Sequence, residues 1–353
     1  MSDLLSIILL MIILSEVLDI KTLERIDKKS MHKVYDKWAE ISKNAYNSDI
    51  KVMELVDIDH IVFVGMGGSG TLGDIFSSIL SKTNIHVSII KGYLLPKTVD
   101  KNSLVVFTSV SGNTIETLSV LKDTIKQDCK TISFSSGGKL EQFCKENNLE
   151  YRKIEKNHSP RASFVSYLYS MLKVLENIIP INKNEINNSI RELEILNDKI
   201  SSKNLTSENP ALKLAGEISK IPLIYYPWGL QGAAIRFKNS LQENAKMHVI
   251  VEDVVEASHN GIVAWEKKSD IFPILLQGHD DYIKTKERWN VLKIYFDSNE
   301  IKYKEILSIS GNILSKLIHL VYLLDYTSIY KAVLSNTDPT PVESIDFIKS
   351  KLK

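Results

Sequence analysis

Short apolar runs bounded by glycine, serine or charged residues recur along this chain, and between them apolar residues return every three or four positions. His60-Ile-Val-Phe-Val64 is the clearest run and stops at Gly65. An unbroken apolar run of this length reads as a strand covered on both faces. Ile85 to Ile90, Ser103 to Val110 and Lys130 to Phe134 read the same way, and Thr71 to Leu80 and Ile115 to Lys126 carry helical spacing between them. Ile20 to Ile50 reads as one or two amphipathic, charged helices, and Ser163 to Asn177 as an apolar helix. The pattern then restarts: Pro222 to Tyr226, Met247 to Glu252 and Asp270 to Gln277 read as strands, a helix runs to Lys246, and Leu307 to Leu324 is a long apolar helix. Strands alternating with helices predict parallel sheets wound by right-handed crossovers. The expected architecture is α/β with two lobes, each a doubly wound, flavodoxin-like parallel sheet flanked by helices. The lobes are expected at 51–180 and 208–353, preceded by a helical segment 1–50 and joined by a helical linker 181–207 rich in Asn, Ser, Lys and Glu.

Composition narrows the function classes. At 353 residues with 44% hydrophobic and 25% charged positions, the chain has the make-up of a globular protein with a sizeable core. A net charge of +1 supplies no field to steer nucleic acid or an anionic membrane. Neither partner is therefore expected, and a small anionic ligand has to be held by local features. Cys129 and Cys144 are the only cysteines; they make neither a metal-ligand pair nor a disulfide framework, which fits a reducing cytoplasm. The apolar stretch Leu4 to Leu18 is shorter than the roughly 20 residues a spanning helix needs. It is preceded by Asp3 rather than a basic residue, and no small-residue cleavage site follows. It is read as a docked helix or an over-long start with Met11 as alternative initiator; a membrane tether is the remaining alternative.

Two loops carry candidate chemistry. Gly65-Met-Gly-Gly-Ser-Gly70 lies between a strand and a helix, where glycine lets backbone N–H groups approach an anion and the helix dipole favours it. By itself it also reads as a tight structural turn. Ser109-Val-Ser-Gly-Asn-Thr114 likewise follows a strand and opens a helix, and three hydroxyls cluster there where an ordinary N-cap needs one. Two such loops on one sheet predict an anion site at the carboxyl edge of the strands.

These paired loops resemble those of the sugar isomerase (SIS) domain family. Leu241-Gln-Glu-Asn-Ala-Lys246, Ala257-Ser-His-Asn-Gly-Ile262, Pro160-Arg161-Ala162 and Asp338-Pro-Thr-Pro-Val-Glu-Ser-Ile-Asp-Phe-Ile-Lys349 together resemble the bifunctional phosphoglucose/phosphomannose isomerases. The likeness runs from about Val62 to the C-terminus, and the first 50 or so residues carry little of it. Three positions depart from the family pattern: Gly261 stands where an acidic residue is frequent, Gln242 precedes the glutamate, and Ser163-Phe164 follows Arg161-Ala162.

The resemblance implies two SIS lobes and an isomerase that converts glucose 6-phosphate and mannose 6-phosphate to fructose 6-phosphate through an enediolate. It implies Glu243 as the base that moves the proton between adjacent carbons, and Arg161 as the cation beside the enediolate oxygens. It implies His259 and Lys349 as the ring-opening groups, although Lys351 or Lys353 would serve as well as Lys349 on composition alone. Phosphate falls to Gly68, Ser69, Ser109, Ser111 and Thr114. No cofactor and no metal is expected, since His158, His248, His259 and His279 lack ligand spacing. A homodimer is expected whose active site borrows His259 from the partner. The alternatives are a non-catalytic SIS module that senses a sugar phosphate, and an SIS isomerase of another sugar phosphate.

Overall fold

The computed structural model describes residues 18–352; the apolar stretch at 4–18 lies, but for Leu18, outside the described residues. Three short helices come first, α1 (Ile20–Ile26), α2 (Met31–Tyr35) and α3 (Trp38–Tyr46). The first lobe then runs β1 (His60–Val64), α4 (Gly68–Leu80), β2 (His86–Ile90), β3 (Ser103–Ser109), α5 (Ile115–Thr124), β4 (Lys130–Ser135), α6 (Gly138–Glu146), β5 (Glu150–Lys153) and α7 (Phe164–Val174). Its strands form one parallel sheet in the order β2-β1-β3-β4-β5. Every residue of β1 and β3 is buried, as parallel strands covered on both faces require.

Helices α8 (Lys183–Ile200) and α9 (Pro210–Glu217) lead to the second lobe. There β6 (Ile221–Tyr226), α10 (Gln231–Ala245), β7 (Ile250–Asp253), α11 (Val254–Ala257), a 3-10 turn (Gly261–Glu266), β8 (Ile271–Gln277), α12 (Ile283–Ser298) and β9 (Lys304–Leu307) repeat the plan. The parallel order is β7-β6-β8-β9. Helices α13 (Ile313–Leu334) and α14 (Glu343–Lys351) complete the chain.

In both sheets the order reverses between the lobe's first strand and its third. That gap is the topological switch point, where crossovers leave in opposite directions and open a crevice at the carboxyl edge. In the first lobe the Gly65–Gly70 and Ser109–Thr114 loops flank it.

One apolar core joins the lobes. It runs from Leu23, Tyr35 and Trp38 through α7 and α8 to α13. Helix α8 buries Ile186, Ile190, Leu193 and Leu196, so the segment between the lobes is itself part of the core. The apolar helix expected at Leu307 to Leu324 begins later: Leu307 closes edge strand β9, and Asn312 caps α13 by accepting from the Ser315 N–H. Among the described residues α13 is the one helix long and apolar enough to cross a membrane, and most of it is buried in this core.

Candidate functional site

Helix α4 starts at Gly68, with Gly67 at φ 54°, a left-handed conformation that glycine adopts without strain. A Cβ at Gly70 would stand 2.7 Å from the Gly65 carbonyl oxygen, so the turn closes only because position 70 has no side chain. Ser69 is buried in the first turn. On the neighbouring strand, Ser109 Oγ lies 2.8 Å from Thr114 Oγ1, and the Gly112 N–H donates to the Ser109 carbonyl. Ser109 is buried, Thr114 half-buried and Ser111 exposed. The Ser111 hydroxyl accepts from the Asn113 N–H. The two loops leave adjacent strands, and a Cβ at Gly65 would meet the Thr108 carbonyl oxygen of β3 at 3.0 Å.

Arg161 lies in the turn before α7 and is buried. Its Nε donates to Asn244 Oδ1 at 2.6 Å, its Nη2 to the carbonyls of Pro339 and Thr340 at 2.6 and 2.9 Å, and its Nη1 to Glu243 Oε2 at 3.1 Å. Guanidinium is a planar fork of donors, and here each of its three nitrogens has a fixed partner. Glu243 is the less buried member, its side chain about a quarter exposed. It opens on a cavity of about 800 Å³ also lined by Gly67, Asn239, Lys246, His248 and the 341–345 segment. Lys246 closes the rim. It terminates α10 at φ 57°, and its Nζ donates to the Glu243 and Pro341 carbonyls at 2.6 and 2.7 Å. Burial, then the nearby Arg161 charge, lowers the Lys246 pKa from its ordinary value.

The fold thus brings Glu243, Arg161 and the glycine loop together. It does not bring His259 or Lys349 to them within one chain. His259 is exposed just after α11, and Lys349 is exposed on α14, whose first turn lines the cavity through Glu343, Ser344 and Ile345. The absence of a side chain at Gly261 leaves no open space at that position. The Glu252 carboxylate stands 2.6 Å from where a Cβ at Gly261 would be. Burial, then the neighbouring Glu256 charge, raises the Glu252 pKa.

The sequence reading missed the groups that fix Arg161. Arg236, Ser240 and Asn244 lie four residues apart on the buried face of α10, and Asp325 and Ser328 meet them from α13. A polar residue every four positions on an otherwise buried helix face was the available signal. Among the described residues no cluster of three or more metal-ligating side chains occurs.

The bacterial phospho-glucose isomerase C-terminal SIS domain family matches residues 207–352. A bifunctional phosphoglucose/phosphomannose isomerase of Caldicellulosiruptor bescii is 32% identical over 84% of this chain and 90% of its own length. A D-glucosamine-6-phosphate 4-epimerase of Sulfolobus acidocaldarius is 27% identical over 80% of this chain and 87% of its own. The fold is shared with the C-terminal domain of the glucosamine-fructose-6-phosphate aminotransferase of Francisella tularensis, with a TM-score of 0.63 and 17% identity over 87% of this chain and 96% of that one.

Proposed function

Because the chain belongs to the bifunctional phosphoglucose/phosphomannose isomerase family, we propose that it interconverts glucose 6-phosphate and mannose 6-phosphate with fructose 6-phosphate by acid/base catalysis. The observation that carries this reading is the Arg161–Glu243 contact at the wall of a cavity of about 800 Å³ next to the glycine loop. Isomerisation moves a proton between two adjacent carbons. A carboxylate reaching both carbons, Glu243, takes it from one and returns it to the other. The intermediate is an enediolate, and the Arg161 guanidinium, already held in place, stabilises the negative charge as it develops. Gly68, Ser69, Ser109, Ser111 and Thr114 hold the phosphate through hydroxyls, backbone N–H groups and the dipoles of α4 and α5.

Ring opening needs an acid at the ring oxygen and a base at the anomeric hydroxyl. Imidazole is the side chain best suited to exchanging protons near neutrality, so His259 fills one role and Lys349 the other. His259 is exposed and outside the Glu243 cavity of its own chain, which supports its delivery by the partner of a homodimer. The chemistry requires no metal, because Arg161 supplies the charge stabilisation and Glu243 the proton transfer. The cytoplasm is the proposed compartment.

The test is steady-state kinetics on glucose 6-phosphate and mannose 6-phosphate, each followed to fructose 6-phosphate in excess EDTA. Activity on one sugar alone would remove the bifunctional claim, and loss of all activity in EDTA would remove the metal-free mechanism. The epimerase relative gives the control: glucosamine 6-phosphate turned over in preference to both sugars would move the assignment to epimerisation.

A further inference from the structure

Arg236 is held in the core as a charge. Its side chain is 1% exposed and that of its partner Asp325 is fully buried. Nε donates to both Asp325 oxygens at 3.2 and 3.1 Å, and Nη2 donates to Asp325 Oδ2 at 2.6 Å. Nη2 also donates to the backbone carbonyl of Arg161 at 2.7 Å. Asp325 accepts further from Ser240 and from the Tyr35 hydroxyl, so its own position is over-determined. The guanidinium lies 4.5 Å over the Phe164 ring, and Nη1 abuts Gly68, where an added Cβ would be 3.4 Å away.

A buried ion pair is a poor device for stability alone. Stripping water from both charges costs about what their attraction returns, and apolar residues of similar volume often do as well. This pair grips one carbonyl, that of Arg161. The next carbonyl, Ala162, accepts from Trp38 Nε1 at 3.1 Å. The far end of the Arg161 side chain is fixed by Asn244, Pro339 and Thr340. Arg161 is therefore anchored at its backbone by Arg236 and at its guanidinium by the groups beside Glu243.

We propose that Arg236, locked by Asp325, is a positioning residue that sets the place of the Arg161 guanidinium against Glu243. The proposal rests on the catalytic reading of Arg161 and Glu243 given above. Lysine at 236 would keep the charge opposite Asp325 but lacks the rigid fork that spans Asp325 and the Arg161 carbonyl at once.

Arg236→Lys should fold and lose on the order of 10- to 100-fold in kcat, since small displacements of a catalytic group carry penalties of this size. KM for fructose 6-phosphate should move far less. The double variant Arg236→Met with Asp325→Leu, which removes both charges, should show the same kcat loss when assayed well below its unfolding temperature, which falls only as far as the Ser240 and Tyr35 hydroxyls and the Arg161 carbonyl left without partners require. NMR of the arginine side chains reads position without turnover: the Arg161 Nε–H should be protected from exchange in the unaltered protein and lose protection in Arg236→Lys. Unchanged kcat and unchanged protection in a folded variant would overturn the proposal. So would a kcat loss that scales with the fall in unfolding temperature from one variant to the other, which would assign the pair to stability. If the unaltered protein turned over neither sugar yet Arg236→Lys released the Arg161 Nε–H, the functional reading would fail and the positioning would stand.

Discussion

Arg161 Nη1 and Glu243 Oε2 lie 3.1 Å apart, on elements 82 residues distant in the chain. Arg161 comes from the turn after the first sheet and Glu243 from the helix after the first strand of the second. The pair therefore exists only when both lobes share a core.

Glu243→Gln keeps the shape and hydrogen-bonding reach of the side chain and removes its basicity. Turnover of either sugar phosphate should fall on the order of 10²-fold or more, the usual contribution of a positioned general base. Binding of a non-reacting sugar phosphate, followed by calorimetry, should change little. Near-normal turnover would remove Glu243 from the proton-transfer role.

The hydroxyl loop gives a second expectation. Ser109 is tied to Thr114, while the exposed Ser111 hydroxyl only accepts from Asn113 and is free to donate. Replacing Ser111 and Thr114 by alanine should raise KM for fructose 6-phosphate with a smaller effect on kcat, because the phosphate is remote from the reacting carbons. An unchanged KM would place the anion elsewhere.

Strand β1 was legible to the residue because its apolar run is closed by Gly65, and β3 nearly so. Edge strands β5 (Glu150–Lys153) and β9 (Lys304–Leu307) were not, since half-exposed edges mix polar and apolar side chains without a clean period. Helix α13 was anticipated but misplaced, because the apolar residues of β9 blur into it until Asn312 supplies the cap. Glu243 and Arg161 became visible only through family resemblance: a lone glutamate and a lone arginine carry no sign of contact. The polar residues at 236, 240 and 244 mark one face of α10, but the pairing of Arg236 with Asp325 was not legible, since the two are 89 residues apart and meet only after α10 packs on α13. The N-terminal helices looked incidental by sequence, yet Tyr35 bonds Asp325 and Trp38 bonds the Ala162 carbonyl.

Gly261 tests a local steric claim. A methyl group there would stand 2.6 Å from the Glu252 carboxylate, too close to remain. Gly261→Ala should cost less than about 1 kcal/mol, because the clash is with the end of a flexible, half-buried side chain that can turn aside rather than with packed core. In a Glu252→Ala background the same substitution should cost clearly less, since contacting sites couple. Equal costs in both backgrounds, measured by denaturant unfolding, would show that Glu252 does not occupy this space.

His319 tests the core around α13 through pH. It sits on α13 with Nδ1 buried and unpartnered. Burial, helped by the Lys199 charge, pushes its pKa down from 6.5 to about 4. The unfolded chain then binds the proton more readily than the folded one between those two values. By linkage, stability should rise with pH across that window. The contribution is fully present above about pH 6.5, is lost as pH falls towards 4, and levels off below that. A depression of this size corresponds to roughly 1–3 kcal/mol, taking about 1.4 kcal/mol per pH unit and discounting for partial exposure. Other carboxylates and histidines also titrate in this range, so the informative quantity is the difference between the unaltered protein and His319→Leu. Leucine has no proton to gain and leaves no unpaired nitrogen in the core. The two proteins should differ by a constant amount above about pH 6.5. Below it, the difference should shift in favour of His319→Leu by the stated amount. Urea unfolding at half-unit intervals from about pH 4 to 8 measures it directly, and parallel curves over that range would mean that His319 titrates as an exposed histidine does.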